Sequence, residues 1–583
     1  MHRTHFAPSL AVVALAIGCG HDAGTPAIAS GEGSGDGSSS AAVAPSDSSG
    51  PVASDTGSSD EAGSSGAAPD LGGAGPVALW HLESPPDSAR TWLVSPAGER
   101  VFWLGVNTVM RDKTCDGILD WIRRTDPSTA AHVEWARLSS GRSGGEHNDA
   151  PYCFNSVGAF SDTNDFDDDG GDSWMIRSLD DGGAAAPFAQ VLTVDARGDD
   201  RALRDADGVV LRGGFAEARI GDPYNPAFAA DIAEMVAQDV APRVGNERLQ
   251  MWFLGNEIGL FDRAGHGTTG VRDLRRWIWS QCPARSSIDA PACAPHALLA
   301  MLRERHGDVA ALASAWALPL AQWDDVVTLR PIPYVRDCNL ACREDLQRFV
   351  HDGLLRRWVE VVTGTVRATD PDHLIATPRL AVGDPSSHRF YTPASAAGSE
   401  VWADAPTVEV PTDGDVTYCP YDLFAREGEL GFDVVAVNVY DGASSFPEPW
   451  LGDGLRKLHE RSGLPVVISE FSVRARIDGW SNRGGAAAFV PDDDTDDQIQ
   501  RGAYYRNQLA QFAAHPFVLG ASWHAWSDRY LAADPSHQID MGLVQCDDPA
   551  RGFEAGARWA EIDDRVAEAN CAVMETIASL TGL

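Results

Sequence analysis

Two carboxylates stand at the ends of apolar runs: Glu257 in "MWFLGNEIGL" and Glu470 in "LPVVISEF". Runs of this kind read as buried strands, and a carboxylate at such an end needs solvent or a polar partner. Taken singly, each is an ordinary rim residue. At the mouth of one fold they form a pair in which one group donates a proton while the other attacks or activates water. That is the chemistry of glycosidic bond hydrolysis. A carboxyl separation of about 5–5.5 Å gives retention and about 6.5–9.5 Å gives inversion. Mutual repulsion raises one pKa of such a pair and so divides the roles.

Positioning two strand ends together requires a sheet whose strands run the same way. Short β-rich runs alternate with longer helical patterns beyond Val77, which predicts a parallel α/β architecture. The candidate strands are 101–109, 152–160, 187–194, 249–257, 374–381, 434–440, 465–471 and 518–526. Eight strands separated by helices is the count of a (β/α)8 TIM barrel, whose active sites lie at the C-terminal strand ends. An open doubly wound sheet would want a Gly-rich turn after its first strand, and "VNTVMRDKTCDG" has none. Helical spacing in "EDLQRFVHDGLLRRWVEVVTGTVRATD" predicts a long helix that stops at Asp370-Pro371. The excursion between Leu260 and Ile375 reads as an elaborated loop with helices at the top of the barrel.

The bulk properties narrow the partners. A net charge of −38 over 583 residues excludes nucleic acid, which needs clustered Lys and Arg. The 18 Trp residues are enough for some to act as flat platforms, although most such rings are core. "MHRTHFAPSLAVVALAIGCG" has the basic start, short apolar run and small residues of an export signal. Its "LAIGC" is similar to a bacterial lipoprotein box, with Cys19 as the lipidated residue; a plain cleaved signal is the alternative. Residues 1–19 are therefore expected to be a signal peptide, and 20–77, rich in Gly, Ser, Ala and Asp, a disordered tether that cannot offset its ordering entropy. Residues 78–583 are expected to be the catalytic domain, exported to the cell envelope or secreted and touching a membrane only through the anchor.

Nine further cysteines in an oxidising setting predict disulfides. Cys282 with Cys293 and Cys338 with Cys342 are close in sequence; Cys115 with Cys153 and Cys546 with Cys571 are plausible, leaving Cys419 alone. No spacing suits zinc, and no cofactor is required. The acidic loop 161–174 offers alternating oxygens for a structural calcium ion, although Ile176 stands where the EF-hand template needs Glu.

"WFLGNEIG" and "LPVVISEF" resemble the fourth- and seventh-strand motifs of the large (β/α)8 superfamily of retaining glycoside hydrolases. "WLVSPAGERVFWLGVNTV", "HGDVAALASAWALPLAQWDDV", "DPDHLIATPRLA" and "HPFVLGASWHAWSDR" resemble stretches of agarase-like enzymes, in patches from Trp92 to Val544. The resemblance is to β-agarases of glycoside hydrolase family fifty and β-galactosidases of family forty-two. It implies that Glu257 is the acid/base and Glu470 the nucleophile. It further implies that Asn256 binds the sugar 2-hydroxyl, that Tyr440 orients Glu470, and that Trp523 is the sugar platform. Asn107, Arg379, His524 and Trp526 are rim candidates. An agarose-like galactan is the favoured substrate. Small galactosides, or a glycan-binding lipoprotein without chemistry, are the other readings.

Overall fold

Eight short buried segments, all running the same way, build the sheet. A computed structural model describes residues 78–109, 152–161, 186–258, 279–328, 339–382, 423–440, 449–480 and 489–581, short breaks within these stretches aside. Its strands are β1 (Trp103–Val106), β2 (Ser156–Val157), β3 (Phe188–Val191) and β4 (Leu249–Phe253), followed by β5 in two segments (Leu374–Ala376 and Leu380–Val382). β6 (Val435–Val439), β7 (Val466–Phe471) and β8 (Val518–Trp523) complete the set. Each pairs in parallel with its neighbours in sequence, and β8 pairs with β1. The first segment of β5 pairs with β4 and the second with β6. Between them the Thr377 N–H donates to the Val434 carbonyl at 3.0 Å. The sheet therefore closes on itself as a (β/α)8 barrel, and every predicted strand is present.

Both faces of such a sheet are buried, so its strands are apolar throughout. Alternation sorts them into two cores. Trp103, Met251, Phe253, Ala436, Val467 and Leu519 fill the barrel. Trp252, Val437, Ile468, Phe471 and Trp523 pack outward against the helices. An antiparallel meander (His81–Glu83, Trp92–Val94, Arg100–Val101) precedes β1. Its Leu93, with Trp80, joins the interior cluster, while Trp80 Nε1 donates to the Glu247 carbonyl at 2.8 Å ahead of β4. The meander thus plugs the N-terminal end of the barrel and leaves the C-terminal end to the site.

The predicted long helix is real but not uniform. It runs as Leu340–Arg348, a wider π-helical stretch Phe349–Leu355 and Arg356–Thr369. Asn339 caps its start by accepting from the Cys342 N–H at 3.0 Å. It ends at Asp370, as the following proline requires. In the 260–375 excursion the helices Ala294–His306 and Val309–Trp316 pack on the outer helix layer: Leu299, Leu302, Leu312 and Trp316 belong to that core, and Trp316 Nε1 donates to Asp345 Oδ2 at 2.7 Å.

The disulfides correct two expected pairings. Cys153 bonds to Cys571, which excludes both Cys115–Cys153 and Cys546–Cys571. Cys282 bonds to Cys293 as expected. Cys342 and Cys546 are also disulfide-bonded. The signal peptide with Cys19, the tether, Cys115, Cys338, Cys419 and the acidic loop beyond Ser161 lie outside the described residues. No helix among the described residues is long and apolar enough to cross a membrane.

Candidate active site

The end of β4 turns sharply. Gly255 has φ +105°, and a side chain there would press on Val194 Cγ2 at 2.9 Å, so the position calls for glycine. Two residues on, Glu257 itself takes φ +46°, a conformation uncommon for non-glycine residues and enriched at functional sites. The turn is held by β5: the Glu257 N–H donates to the Arg379 carbonyl at 2.9 Å, and the Arg379 N–H to the Gly255 carbonyl at 3.0 Å. Glu257 is buried, at 8 % exposure.

On the opposite side, β7 carries a bulge. Val437 of β6 pairs with Ile468, but the next residue, Asn438, pairs with Glu470, leaving Ser469 as an extra residue. Bulges re-aim side chains and recur beside active sites. Here the Ser469 carbonyl accepts from Asn107 Nδ2 at 2.9 Å and from Arg379 Nη2 at 3.0 Å. Glu470, 5 % exposed, accepts from Arg379 Nη2 on Oε1 and from the Tyr440 hydroxyl on Oε2.

Strand β6 reaches both carboxyls. Asn438 and Tyr440 are two residues apart and share a face. Asn438 Nδ2 donates to Glu257 Oε1 at 2.8 Å and to Asn256 Oδ1 at 3.1 Å, while Tyr440 serves Glu470. Asn438 Oδ1 accepts from the Ser469 hydroxyl at 2.7 Å.

The electrostatics separate the roles. Burial pushes the pKa of Glu470 up, but Arg379, His524 and the Tyr440 hydroxyl outweigh it and hold the carboxyl below its ordinary value. Burial, then the charges of Glu470 and Glu257, push the Tyr440 phenol well up, so it stays a neutral donor. Arg379 is fully buried, with its guanidinium over the rings of Phe160 and Phe253 at 4.9 and 5.6 Å. Its Nε and Nη1 have no hydrogen-bond partner among the described residues. Glu470 is thus an ionised, oriented carboxylate, suited to attack, and Glu257 faces the same strand with an amide donor on one oxygen.

Of the residues singled out in the sequence, the fold gathers Asn256, Glu257, Arg379, Tyr440, Glu470 and His524. The His524 ring meets Tyr440 edge-on at 6.5 Å between centroids. Asn107 belongs to the frame, not the rim, because both ends of its amide are used: Oδ1 also accepts from Ser522 Oγ at 2.7 Å. Trp523 requires a correction as a platform. Its ring is 0 % exposed and packs outward against Phe471 at 5.2 Å and Tyr505 at 5.3 Å, the latter on the helix Asp497–Ala514. Neighbouring Ser522 and His524 take the site-facing side of β8. Trp526 is also buried, at 2 %, so it too presents no open ring, and its backbone N–H donates to the Asn107 carbonyl at 2.9 Å. Sequence reasoning missed Asn438 and Ser469. Asn438 carried a signal: a polar residue two positions before Tyr440 in an apolar strand.

The Cys282, Cys293 and His296 side chains cluster, but the two sulfurs are joined in a disulfide and so do not form a thiolate site. No family model matches the chain, and no curated protein sequence does. Solved structures that share the fold include an agarase at 15 % identity and TM-score 0.52, covering 86 % of this chain and 65 % of its own. An exo-beta-agarase aligns at 15 % identity and TM-score 0.53 over 86 % of this chain and 65 % of its own. BpGH50 aligns at 14 % and 0.53, over 86 % and 83 %. The chain thus spans just under two thirds of the length of the two agarases.

Proposed function

We propose that the protein is a glycoside hydrolase that cleaves a poly- or oligosaccharide, with an agarose-like galactan as the favoured substrate. The observation that carries this reading is the convergence of two buried carboxyls on one strand: Glu257 on Asn438 and Glu470 on Tyr440. In the proposed retaining reaction Glu470 attacks the anomeric carbon while Glu257 protonates the leaving oxygen. Glu257 then takes a proton from the water that releases the sugar from Glu470. Arg379 and Tyr440 suit Glu470 to this part, because a nucleophile must be ionised at working pH. Asn256, beside Glu257, is placed in the role of sugar 2-hydroxyl ligand.

The likeness of fold to agarases supports the galactan over other sugars. An export signal and anchor at Cys19 would set the enzyme at the cell envelope, where a polymer must be cut before uptake. The test is a screen of agarose, porphyran and lactose-type galactosides with product sizing. Shortened galactan oligomers are the expected result; release of galactose from small galactosides alone would move the reading to a β-galactosidase. Binding without turnover of any glycan would leave a glycan-binding protein and overturn the enzyme.

A further inference from the structure

Asn438 is the one side chain among the described hydrogen bonds that links the two halves of the site, and its amide is fully specified. Its Nδ2 faces two acceptors, Glu257 Oε1 at 2.8 Å and Asn256 Oδ1 at 3.1 Å. Its Oδ1 accepts from Ser469 Oγ at 2.7 Å. Turning the amide over would set an oxygen against two oxygens and leave the Ser469 hydroxyl facing an NH₂ group. The orientation is therefore dictated by the two acceptor oxygens, and Ser469, the bulge residue next to Glu470, completes it by donating to Oδ1. Asn438, Ser469 and Glu257 are buried, where an unmet donor or acceptor is costly, and Asn256 is half-buried.

We propose that Ser469 and Asn438 form a positioning relay that decides which oxygen of Glu257 carries the catalytic proton. This rests on the hydrolase reading of the site. A carboxylic acid whose Oε1 accepts from an amide N–H keeps its proton on Oε2, the oxygen that Asn438 does not engage. In the first step that proton passes from Oε2 to the glycosidic oxygen. The anomeric C–O bond breaks with its electron pair going to that oxygen, and a Glu470 oxygen forms the new bond to the anomeric carbon. Glu257 is left as a carboxylate, and the Asn438 donor stabilises that charge until water returns a proton. The bulge in β7 thus aims Glu470 and, through one hydroxyl, sets the geometry of its partner on β4.

The direct test is a ¹³C NMR titration of the Glu257 carboxyl in glutamate-labelled protein, assigned by the signal lost in Glu257→Gln. Asn438→Ala removes a donor to the ionised form, so the midpoint should rise by about one pH unit. Ser469→Ala keeps the volume of Asn438 and should raise it less; Ser469→Thr, which restores the hydroxyl, should return it toward the wild-type value. A midpoint that is unchanged or lower in both alanine variants overturns the relay. The second arm measures kcat/KM on aryl β-galactosides. Asn438→Ala should lose about 10- to 100-fold on a phenyl leaving group that needs protonation and under about threefold on a dinitrophenyl group that does not. Equal losses on both also overturn it. Should the wild-type enzyme turn over no aryl galactoside, the galactan reading is left to the product-sizing screen, and the titration still decides the relay.

Discussion

At the N-terminal end of the barrel, His373 and Asp370 are both fully buried, and their polar atoms are met. His373 Nδ1 bonds to Asp370 Oδ2 at 2.7 Å, its Nε2 faces the Asn246 carbonyl at 3.0 Å, and Trp252 Nε1 donates to Asp370 at 2.8 Å. With an acceptor at each nitrogen, the surroundings favour the imidazolium over the neutral ring. At the C-terminal end Arg379 and Glu470 are just as buried, yet Arg379 keeps two nitrogen positions without a partner among the described residues, and the chain beside it adopts a positive φ at Glu257. The lower pair closes a junction between a helix end, β4 and β5. In the proposed function the upper pair acts on a third molecule. A buried charge pair therefore signals function only where its geometry is left incomplete or strained.

Neutralising one member at each end should have opposite consequences. Glu470→Gln keeps the acceptor for Tyr440 but removes the proposed nucleophile, so turnover should fall on the order of 10⁴-fold or more with sugar binding retained. Isothermal titration beside a turnover assay separates the two, and hydrolysis near the wild-type rate would sink the assignment. At the base, His373→Phe leaves Asp370 as a buried charge without its cation. Stability should drop by about 3–5 kcal/mol in a denaturant titration, while kcat per folded molecule holds. Were kcat to collapse instead, the base would not be a purely structural junction.

Arg379→Met tests the middle of the scale. With the guanidinium gone, burial is less opposed and the Glu470 pKa must rise. Glu470 is then protonated over more of the acid range, so the acidic limb of kcat/KM should move to higher pH. A loss of about 10²-fold near neutrality accompanies it, the size expected for one charged hydrogen bond in a buried site. A lower rate with an unmoved acidic limb would mean that Arg379 only fills space.

The two ends also differ in how far the sequence reveals them. All eight strands are legible because a parallel strand buried on both faces is an apolar run bounded by polar residues. For the same reason the facing of side chains is legible only where polar residues break the run. In "VLGASWHAW" polar Ser522 and His524 alternate with apolar Ala521 and Trp523, and that parity, which puts Trp523 against Tyr505, is at odds with reading Trp523 as a platform. The bulge at Ser469 is silent, since one extra residue shifts parity without any change in composition. Glu257 and Glu470 stand out as charges closing apolar runs. Asn107, in "VFWLGVNTV", stands out the same way, but its amide is spent inside the frame. The Cys153–Cys571 bond joins residues 418 apart, and proximity along the chain cannot find such a pair.

The smallest effect is a pH dependence of the lower pair. For His373, burial lowers the pKa, but Asp370 and the Asn246 carbonyl raise it further, and the net shift is upward. A raised histidine contributes stability that is fully present below its unfolded pKa of about 6.5 and is lost as pH rises through the higher folded value. For Asp370, burial acts upward but the bonds from His373 and Trp252 win, and the net shift is downward. Its share is present above about 3.9 and is lost as pH falls through the lower folded value. The pair is thus strongest from about pH 4 to 6.5 and weakens on the alkaline side first under ordinary conditions. Thermal melts of wild type and His373→Phe should diverge most near pH 5–6, with the gap narrowing toward pH 9 by about 1.4 kcal/mol for each tenfold change in proton affinity. A gap that stays constant across that range would mean His373 acts by packing and neutral hydrogen bonds, and the lower end of the barrel would then hold no working charge pair to set against Arg379 and Glu470.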